Sequence, residues 1–535
     1  MERKSKMSLP DANNPYSFNE FLEWRASFDY YADDPFLQKV AAVFSGADFP
    51  ALDEAARKLS RLASFRWRDL ADAAAVPEKR PYLVNYDGHR NRVDRIVRPM
   101  ETLVMEKEIF SEALFSTKTS NWTRVLKMFL IAQNSESCIV CPMVCTEGLV
   151  ALLRRFADTP ELLRILTHLT EGIDGDFAIG AQYLSEIHGG SDVAANLLEA
   201  VSEGGHYRLY GTKFFCSATH ADYAVVTAKP RGSERVGLFV VPSWMPGNKK
   251  REIRNGHTID RIKWKMGTAE LTTGEITYNG ATAYAVGPLD RGLANVVGIV
   301  LALSRMTIAL GGAAGAIRVA REVERYTRFR TAFGFPLAEF PMVRRDIREI
   351  GRAARRTTAG AFSVYNEFFA IPGGLEGGLP KAGGPAERRR FRLRELVMLQ
   401  KITVAQDSVD WLRKAMALFG GHGVMEDFSS LPRFYRDAAV NELWEGPRNV
   451  LLTQMHRDFK RVEPWYPAAD VVEDILSGAD SGVREPLVRE ISELMKPSDL
   501  FGPDAEELCA RWDRFCADLF HAYQDLALVH VENTP

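Results

Sequence analysis

FGGHGVMEDFSSLPRFYRDAAVNELWEGPRN, residues 419–449, is the stretch whose reading organises the chain. It opens on a glycine turn (Gly420, Gly421, Gly423), continues through Arg433-Phe434-Tyr435-Arg436-Asp437, and closes on Trp444-Glu445-Gly446. A carboxylate beside an indole, at a chain reversal with a helix-like pattern after it, suits a proton-abstracting base. The ring and its apolar neighbours withhold water from Glu445 and push its pKa toward neutral. A surface glutamate at a helix start reads the same way in this segment alone. The remaining residues decide between the two.

Upstream, the pattern of the chain changes twice. Phe18, Phe21, Trp24, Phe28 and then Leu52, Ala55, Leu59, Leu62 recur at steps of three and four, so residues 1–172 are expected to form a helical domain. Further helices are expected over 101–117, 123–132 and Glu147–Leu169. From Phe177 the runs become short and β-rich (FAIGAQYL, YRLYGTKFFC, YAVVTAK, VGLFVVPS, TTGEITYNG, TAYAVG), which predicts a compact β domain over 173–288. Helices return over 289–460, interrupted by the Gly/Pro-rich connector Ile371–Pro385. A helical extension follows over 461–535; from 451 onward it carries 8 Lys/Arg against 17 Asp/Glu. An acidic face of this kind reads as solvated, and its sign is wrong for phosphate.

With 535 residues and a net charge of −2, the chain is long enough for several packed subdomains and has no overall field toward nucleic acid or an anionic membrane. The basic start MERKSKMSLPDANNP has no apolar run after it, so no signal peptide is expected. Six scattered cysteines fit a reducing compartment, taken as the cytoplasm. Cys138, Cys141 and Cys145 have metal-like spacing without a fourth ligand, and no metal site is expected. The apolar run 296–317 approaches membrane-span length, but Arg305 near its middle favours a buried central helix. Gly311-Gly312-Ala313-Ala314-Gly315 lies in that run with no strand before it. It is read as helix–helix packing, not a dinucleotide loop. Ile187-His188-Gly189-Gly190-Ser191-Asp192 follows an apolar run instead, and its turn could hold a phosphate on backbone N–H groups. Phe214-Phe215, beside Cys216-Ser217, could wall a planar group or simply pack in a core.

In order, YLSEIHGGSD (183–192), GTKFFCS (211–217), KMGTAE (265–270), RFRTAFGFPL (328–337), FGGHGVMED, RFYRDAAV and LWEGPRN resemble the motifs of the acyl-CoA dehydrogenase superfamily over about residues 60–460. The run LPRFYRDAAVNELWEG and the extra C-terminal region are most similar to its AidB-like branch. The resemblance implies an N-terminal helical domain, a middle β-barrel-like domain and a C-terminal four-helix bundle, with an extra helical region behind. It implies FAD as cofactor. Leu184 and Ser185 would lie against the isoalloxazine edge, Ser191 at the pyrophosphate, and Phe215 and Ser217 beside the ring. Arg330, Phe333, Gly420, Gly421 and Asn449 would meet the rest of the cofactor, in part across a subunit interface, which implies a homodimer or homotetramer.

Glu445 matches the family's base, and Arg305 would be its electrostatic neighbour. Some members carry the base just before that arginine; this chain has Ser304 there. The implied reaction is α,β-desaturation of an acyl-CoA thioester, with α-proton removal by Glu445 and hydride transfer to flavin N5. An electron-transfer flavoprotein would take the electrons. The alternatives are a nucleic-acid-associated or stress-response flavoprotein and a flavin-dependent oxidase or monooxygenase. The sequence departs from the motifs at Ser185, which replaces a threonine, at Pro447, where a hydroxyl is common, and at AEFPMV, which lacks a glutamine.

Overall fold

The computed structural model describes residues 17–376, 378–381, 383–497, 500–502 and 505–535; the basic start of the chain lies outside the described residues. The N-terminal helices are α1 (Asn19–Ser27), α2 (Pro35–Ser45), α3 (Phe49–Arg61) and α4 (Arg68–Ala74). After a β-hairpin come α5 (Met100–Phe110), α6 (Asn121–Ala132), α7 (Val140–Phe156) and α8 (Pro160–Thr170). Local chemistry sets several of these starts. Asp34, Ser120 and Thr159 each accept the backbone N–H three residues on, and Pro35 and Pro160 occupy first helical positions. The Thr159-Pro160 start divides the single helix expected over 147–169 into two, because Pro160 has no N–H to continue the α7 ladder.

The hairpin, β1 (Tyr82–Tyr86) and β2 (Arg92–Val97), interrupts the region expected to be wholly helical. Asp87 makes its turn, accepting the N–H groups of His89 and Asn91 on one carboxylate oxygen at 2.8 Å. Buried Asp94 docks the hairpin on the β domain by accepting Ile259 N at 3.0 Å.

The β domain contains β3 (Gly180–Tyr183), β4 (Glu199–Glu203), β5 (His206–Ser217), β6 (Tyr223–Pro230), β7 (Gly237–Pro242), β8 (His257–Ile262) and β9 (Thr273–Ala285). The strand path β3-β6-β4-β5-β9-β7 is closed by pairing of β7 back onto β6, giving the barrel-like form, and β8 adds to β9. Closure removes an exposed edge and aims the ends of β3 and β5 at the helices.

The C-terminal helices are α9 (Gly292–Asn295), α10 (Leu301–Phe329), α11 (Pro341–Phe369), α12 (Pro385–Phe419), α13 (Leu431–Asn441), α14 (Arg448–Val462), α15 (Ala468–Ile475), α16 (Ser481–Leu494) and α17 (Ala505–Asn533). A short hairpin, β10 (Thr331–Ala332) and β11 (Phe335–Pro336), follows α10. The stretch 289–329 is long and apolar enough to cross a membrane, and it is the central packed element: α10 meets α11 and α12 on one side and α6 and α7 on the other.

The acidic extension is continuous with this bundle. α17 lies along α11 and buries Trp512, Phe515, Leu519, Phe520 and Val531 in the same hydrophobic core. Four of the extension's carboxylates pair with arginines of the bundle. Asp525 pairs with Arg352 at 3.1 Å, Glu532 with Arg355 at 2.8 Å, Asp474 with Arg392 at 2.8 Å and Asp513 with Arg448 at 2.6 Å. The acidic extension, expected to be a solvated face, is therefore in part an intramolecular interface with the bundle.

Candidate active site

Residues 442–447 turn the chain between α13 and α14. Glu445 and Gly446 both have positive φ, +58° and +101°, a left-handed backbone that a glutamate adopts only at a cost of about 1–3 kcal/mol. Two buried cations hold it. Arg305 Nε on α10 donates to the Glu445 carbonyl at 3.0 Å, and Lys401 Nζ on α12 donates to the carbonyls of Glu442 and Gly446 at 2.9 and 2.6 Å. The Glu445 side chain has a separate partner: its Oε1 accepts Nε2 of Gln182 at 2.7 Å. Burial raises the Glu445 carboxyl to about 7, against the opposing pull of Arg305 and Lys401. Burial likewise lowers Lys401 to about 7 and Arg305 to about 10. At neutral pH the carboxyl can take or return a proton with little driving force either way.

Glu445 and Trp444 line a cavity whose long wall is one face of α10: Ser304, Thr307, Ile308, Gly311, Gly312 and Gly315. Val140, Val144, Trp411, Leu412 and Phe434 make it predominantly apolar. The helix-packing expectation for the glycine cluster holds only for Gly312, where an added Cβ would lie 2.6 Å from Val404 Cγ1. At Gly311 no atom lies within 4 Å of that position, and at Gly315 the nearest is Trp411 at 3.8 Å. These two glycines give the cavity its room. A polar patch interrupts its wall: Asp437 accepts Ser135 Oγ and Thr268 N, both at 2.5 Å, tying the α6–α7 loop to the β domain. Cys141 and Cys145 line the same wall with their sulfurs 3.8 Å apart.

The loop after β3 carries Leu184, Ser185 and Ser191. It is braced from below by Lys213 of β5, which is fully buried and donates to Leu184 O at 3.0 Å, Glu186 Oε1 at 2.7 Å and Asn196 Oδ1 at 3.0 Å. Glu186 in turn accepts Leu197 N at 2.7 Å and Leu198 N at 3.1 Å. Gly190 lets the loop fold back: a Cβ there would lie 2.9 Å from Ser185 Oγ. Exposed Ser191 and half-buried Ser185 present hydroxyls on this rim, and Ser217 ends β5. Lys263 Nζ sits 3.4 Å from the centre of the Phe214 ring and 4.5 Å from that of Phe215, which is nonetheless 50% exposed. Trp264, the residue after Lys263, is 83% exposed.

Arg330, Phe333, Gly420 and Gly421 gather at the other end of α10. Tyr326 joins them: its ring stacks on Phe419 at 4.0 Å, its hydroxyl donates to Phe419 O at 3.2 Å, and its carbonyl accepts Arg330 N at 2.8 Å. His422 contacts the Tyr326 hydroxyl at 2.9 Å and stacks on Phe428 at 4.3 Å. Phe333 is 93% exposed at φ +52°, and no atom lies within 4 Å of a Cβ built on Gly420 or Gly421. The 25 residues from Arg305 to Arg330 put roughly 37 Å of helix between the two groups. Asn449 joins neither; it lines a cationic cavity with Arg235, Lys381, Arg394, Arg457 and Arg461.

Gln182, Lys401, Lys213 and Glu186 are the residues that sequence reasoning missed. The available signal was a polar side chain inside an apolar run, GAQYL for Gln182 and VMLQKITVA for Lys401, because a buried polar group needs a partner.

Residues 181–281 match the family model described as acyl-CoA dehydrogenase, middle domain, and residues 290–459 match acyl-CoA dehydrogenase, C-terminal domain. The putative acyl-CoA dehydrogenase AidB of Escherichia coli K12 is 24% identical over 91% of this chain and 88% of its own length. Among solved structures, ACDH-11 of Caenorhabditis elegans in complex with C11-CoA aligns over 100% of this chain and 95% of its own, with a TM-score of 0.80 and 22% identity. An acyl-CoA dehydrogenase of Bacillus anthracis complexed with FAD aligns over 81% and 76%, with a TM-score of 0.65 and 15% identity. With the helix–barrel–helix layout in place and both matched domains surrounding Glu445, the chain belongs to the acyl-CoA dehydrogenase family of oxidoreductases, in its AidB-like branch.

Proposed function

We propose that the protein is an FAD-dependent dehydrogenase that desaturates an acyl-CoA thioester between its α and β carbons. The observation that carries this reading is the Glu445 carboxyl, raised to about 7 in the wall of an apolar cavity. The residues on the β-domain rim fit FAD: Ser185, Ser191 and Ser217 offer hydroxyls, Phe215 and Trp264 leave aromatic surface open, and Gly190 keeps the loop free of a side chain. When bound, FAD supplies the hydride acceptor.

The protein's own part is proton transfer, orientation and exclusion of water. Glu445 takes the α-proton in its ionised form. Its main-chain N–H is the donor assigned to the thioester carbonyl, where negative charge develops as the proton leaves. Arg305 and Lys401 fix that backbone by holding three carbonyls of the turn. The acyl chain runs along Thr307, Ile308, Gly311 and Gly315. The cationic cavity lined by Asn449 and Arg457, whose arginines outnumber Asp290 and Asp458, suits the phosphates of the CoA nucleotide.

Arg330, Phe333, Gly420 and Gly421 gather at the far end of α10, roughly 37 Å of helix from Arg305. They are assigned to the cofactor of a second copy in a homo-oligomer. An electron-transfer flavoprotein is the proposed electron acceptor.

Anaerobic addition of acyl-CoAs of graded length to the FAD-loaded protein tests the reading. Bleaching of the flavin absorbance by at least one chain length is expected; a spectrum that none of them changes overturns the assignment.

A further inference from the structure

We propose, resting on the dehydrogenase reading above, that Gln182 is a positioning residue for the Glu445 carboxyl and that Ser304 holds Gln182 in the orientation this requires. Gln182 is the third residue of β3, and its pairing with Val225 of β6 fixes its backbone. Its side chain leaves the barrel and reaches the turn. Nε2 donates to Glu445 Oε1 at 2.7 Å and to Ser304 Oγ at 3.3 Å, so the two amide protons have two separate acceptors. Buried Ser304 donates its one hydroxyl proton to Val300 O at 3.1 Å, which leaves its oxygen to accept from the Gln182 amide and hold it in place.

The charged groups facing Glu445 are Arg305 from α10 and Lys401 from α12. Both are committed to carbonyls of the turn, so they fix the backbone of Glu445. Gln182 comes from β3 of the barrel and is the group bonded directly to the carboxyl. A neutral donor favours the ionised carboxylate without pairing it with a charge that would make it a poor base. Burial raises the proton affinity of Glu445, the charges of Arg305 and Lys401 lower it, and the Gln182 amide lowers it further through the hydrogen bond to the carboxyl itself. The serine standing where other members of the family carry a base thus acquires a task here, as the anchor of that amide.

An infrared pH titration of flavin-free protein reads this directly, following the carboxyl band that Glu445→Gln removes. Gln182→Leu is expected to move the midpoint upward by about one pH unit, the scale of a lost hydrogen bond to a charged group. Gln182→Glu should move it further in the same direction, because two carboxylates would share one proton. Ser304→Ala should give a smaller upward step, and it keeps the test open if Gln182→Leu fails to fold. The same order should appear in the acid limb of kcat/KM. Midpoints unmoved in Gln182→Leu and Ser304→Ala overturn the positioning role even if the enzyme desaturates acyl-CoA. Displaced midpoints in a protein that no acyl-CoA reduces would uphold the positioning role and sink the dehydrogenase reading alone.

Discussion

The two ends of α10 are built on opposite terms. At the Arg305 end each strained or charged group is answered within the chain: Glu445 by Gln182, the turn carbonyls by Arg305 and Lys401, and the β3 loop by Lys213. At the Arg330 end the functional groups stand open, with Phe333 93% exposed on a left-handed backbone and two glycines facing nothing. One end is closed by the chain's own groups, and the other is open in the way the proposed homo-oligomer requires. Substitutions at the first should therefore register in a single folded chain, and those at the second only in the assembly.

The largest effect is expected at the buried brace. Lys213→Met leaves Glu186 uncompensated and should cost about 3–5 kcal/mol in denaturant unfolding, with loss of FAD. A cost below about 1 kcal/mol would mean the brace is dispensable, since that is the scale of exposed pairs.

The glycine face of α10 sharpens the comparison next. Gly311→Leu fills open space and should lower kcat/KM for long acyl chains by about 10–100-fold while sparing short ones. Gly312→Ala, pressed against Val404, should cost about 1–3 kcal/mol of stability instead. An identical response at both sites would contradict the division between them.

Glu445→Gln should stabilise the flavin-free protein above neutral pH by on the order of 1 kcal/mol. The sign follows from a folded-state pKa raised from 4.5 to about 7. The stability linked to this carboxyl is fully present below 4.5 and falls away as pH rises to about 7, and glutamine does not titrate. Thermal melts of both proteins at pH 5 and pH 8 check the prediction. A variant less stable than wild type at pH 8 would refute it.

The smallest effect on the protomer belongs to the far end. Phe333→Ser should change unfolding stability by less than about 0.5 kcal/mol, as an exposed position does, while weakening oligomerisation and FAD retention. Analytical ultracentrifugation with a flavin-release assay separates the two. Unchanged assembly and retention would remove Phe333 from the shared site.

The same contrast marks what the sequence could disclose. Period and punctuation made the helix–β–helix layout legible, and the segment 419–449 pointed to Glu445 and its indole neighbour. Trp444 and Glu445 do line one cavity. The hairpin 82–97 escaped because sixteen residues of strand and turn sit between long helical stretches, although Asp87-Gly88 is a hairpin signal. Gln182 and Lys401 escaped for another reason. Their partners are 263 and 45 residues away in the chain, and periodicity reports which face a residue occupies, not what stands opposite. The acidic extension was legible as a charge excess, while its pairing with Arg352, Arg355, Arg392 and Arg448 needed the fold.

The most direct test is the rate at which a bound acyl-CoA bleaches the flavin, by anaerobic stopped flow, in wild type and Glu445→Gln at equal FAD occupancy. A fall of about 10²–10⁴-fold, with a wild-type acid limb near pH 7, is the predicted result. Equal rates in the two proteins would show that another group removes the proton, and would contradict the account.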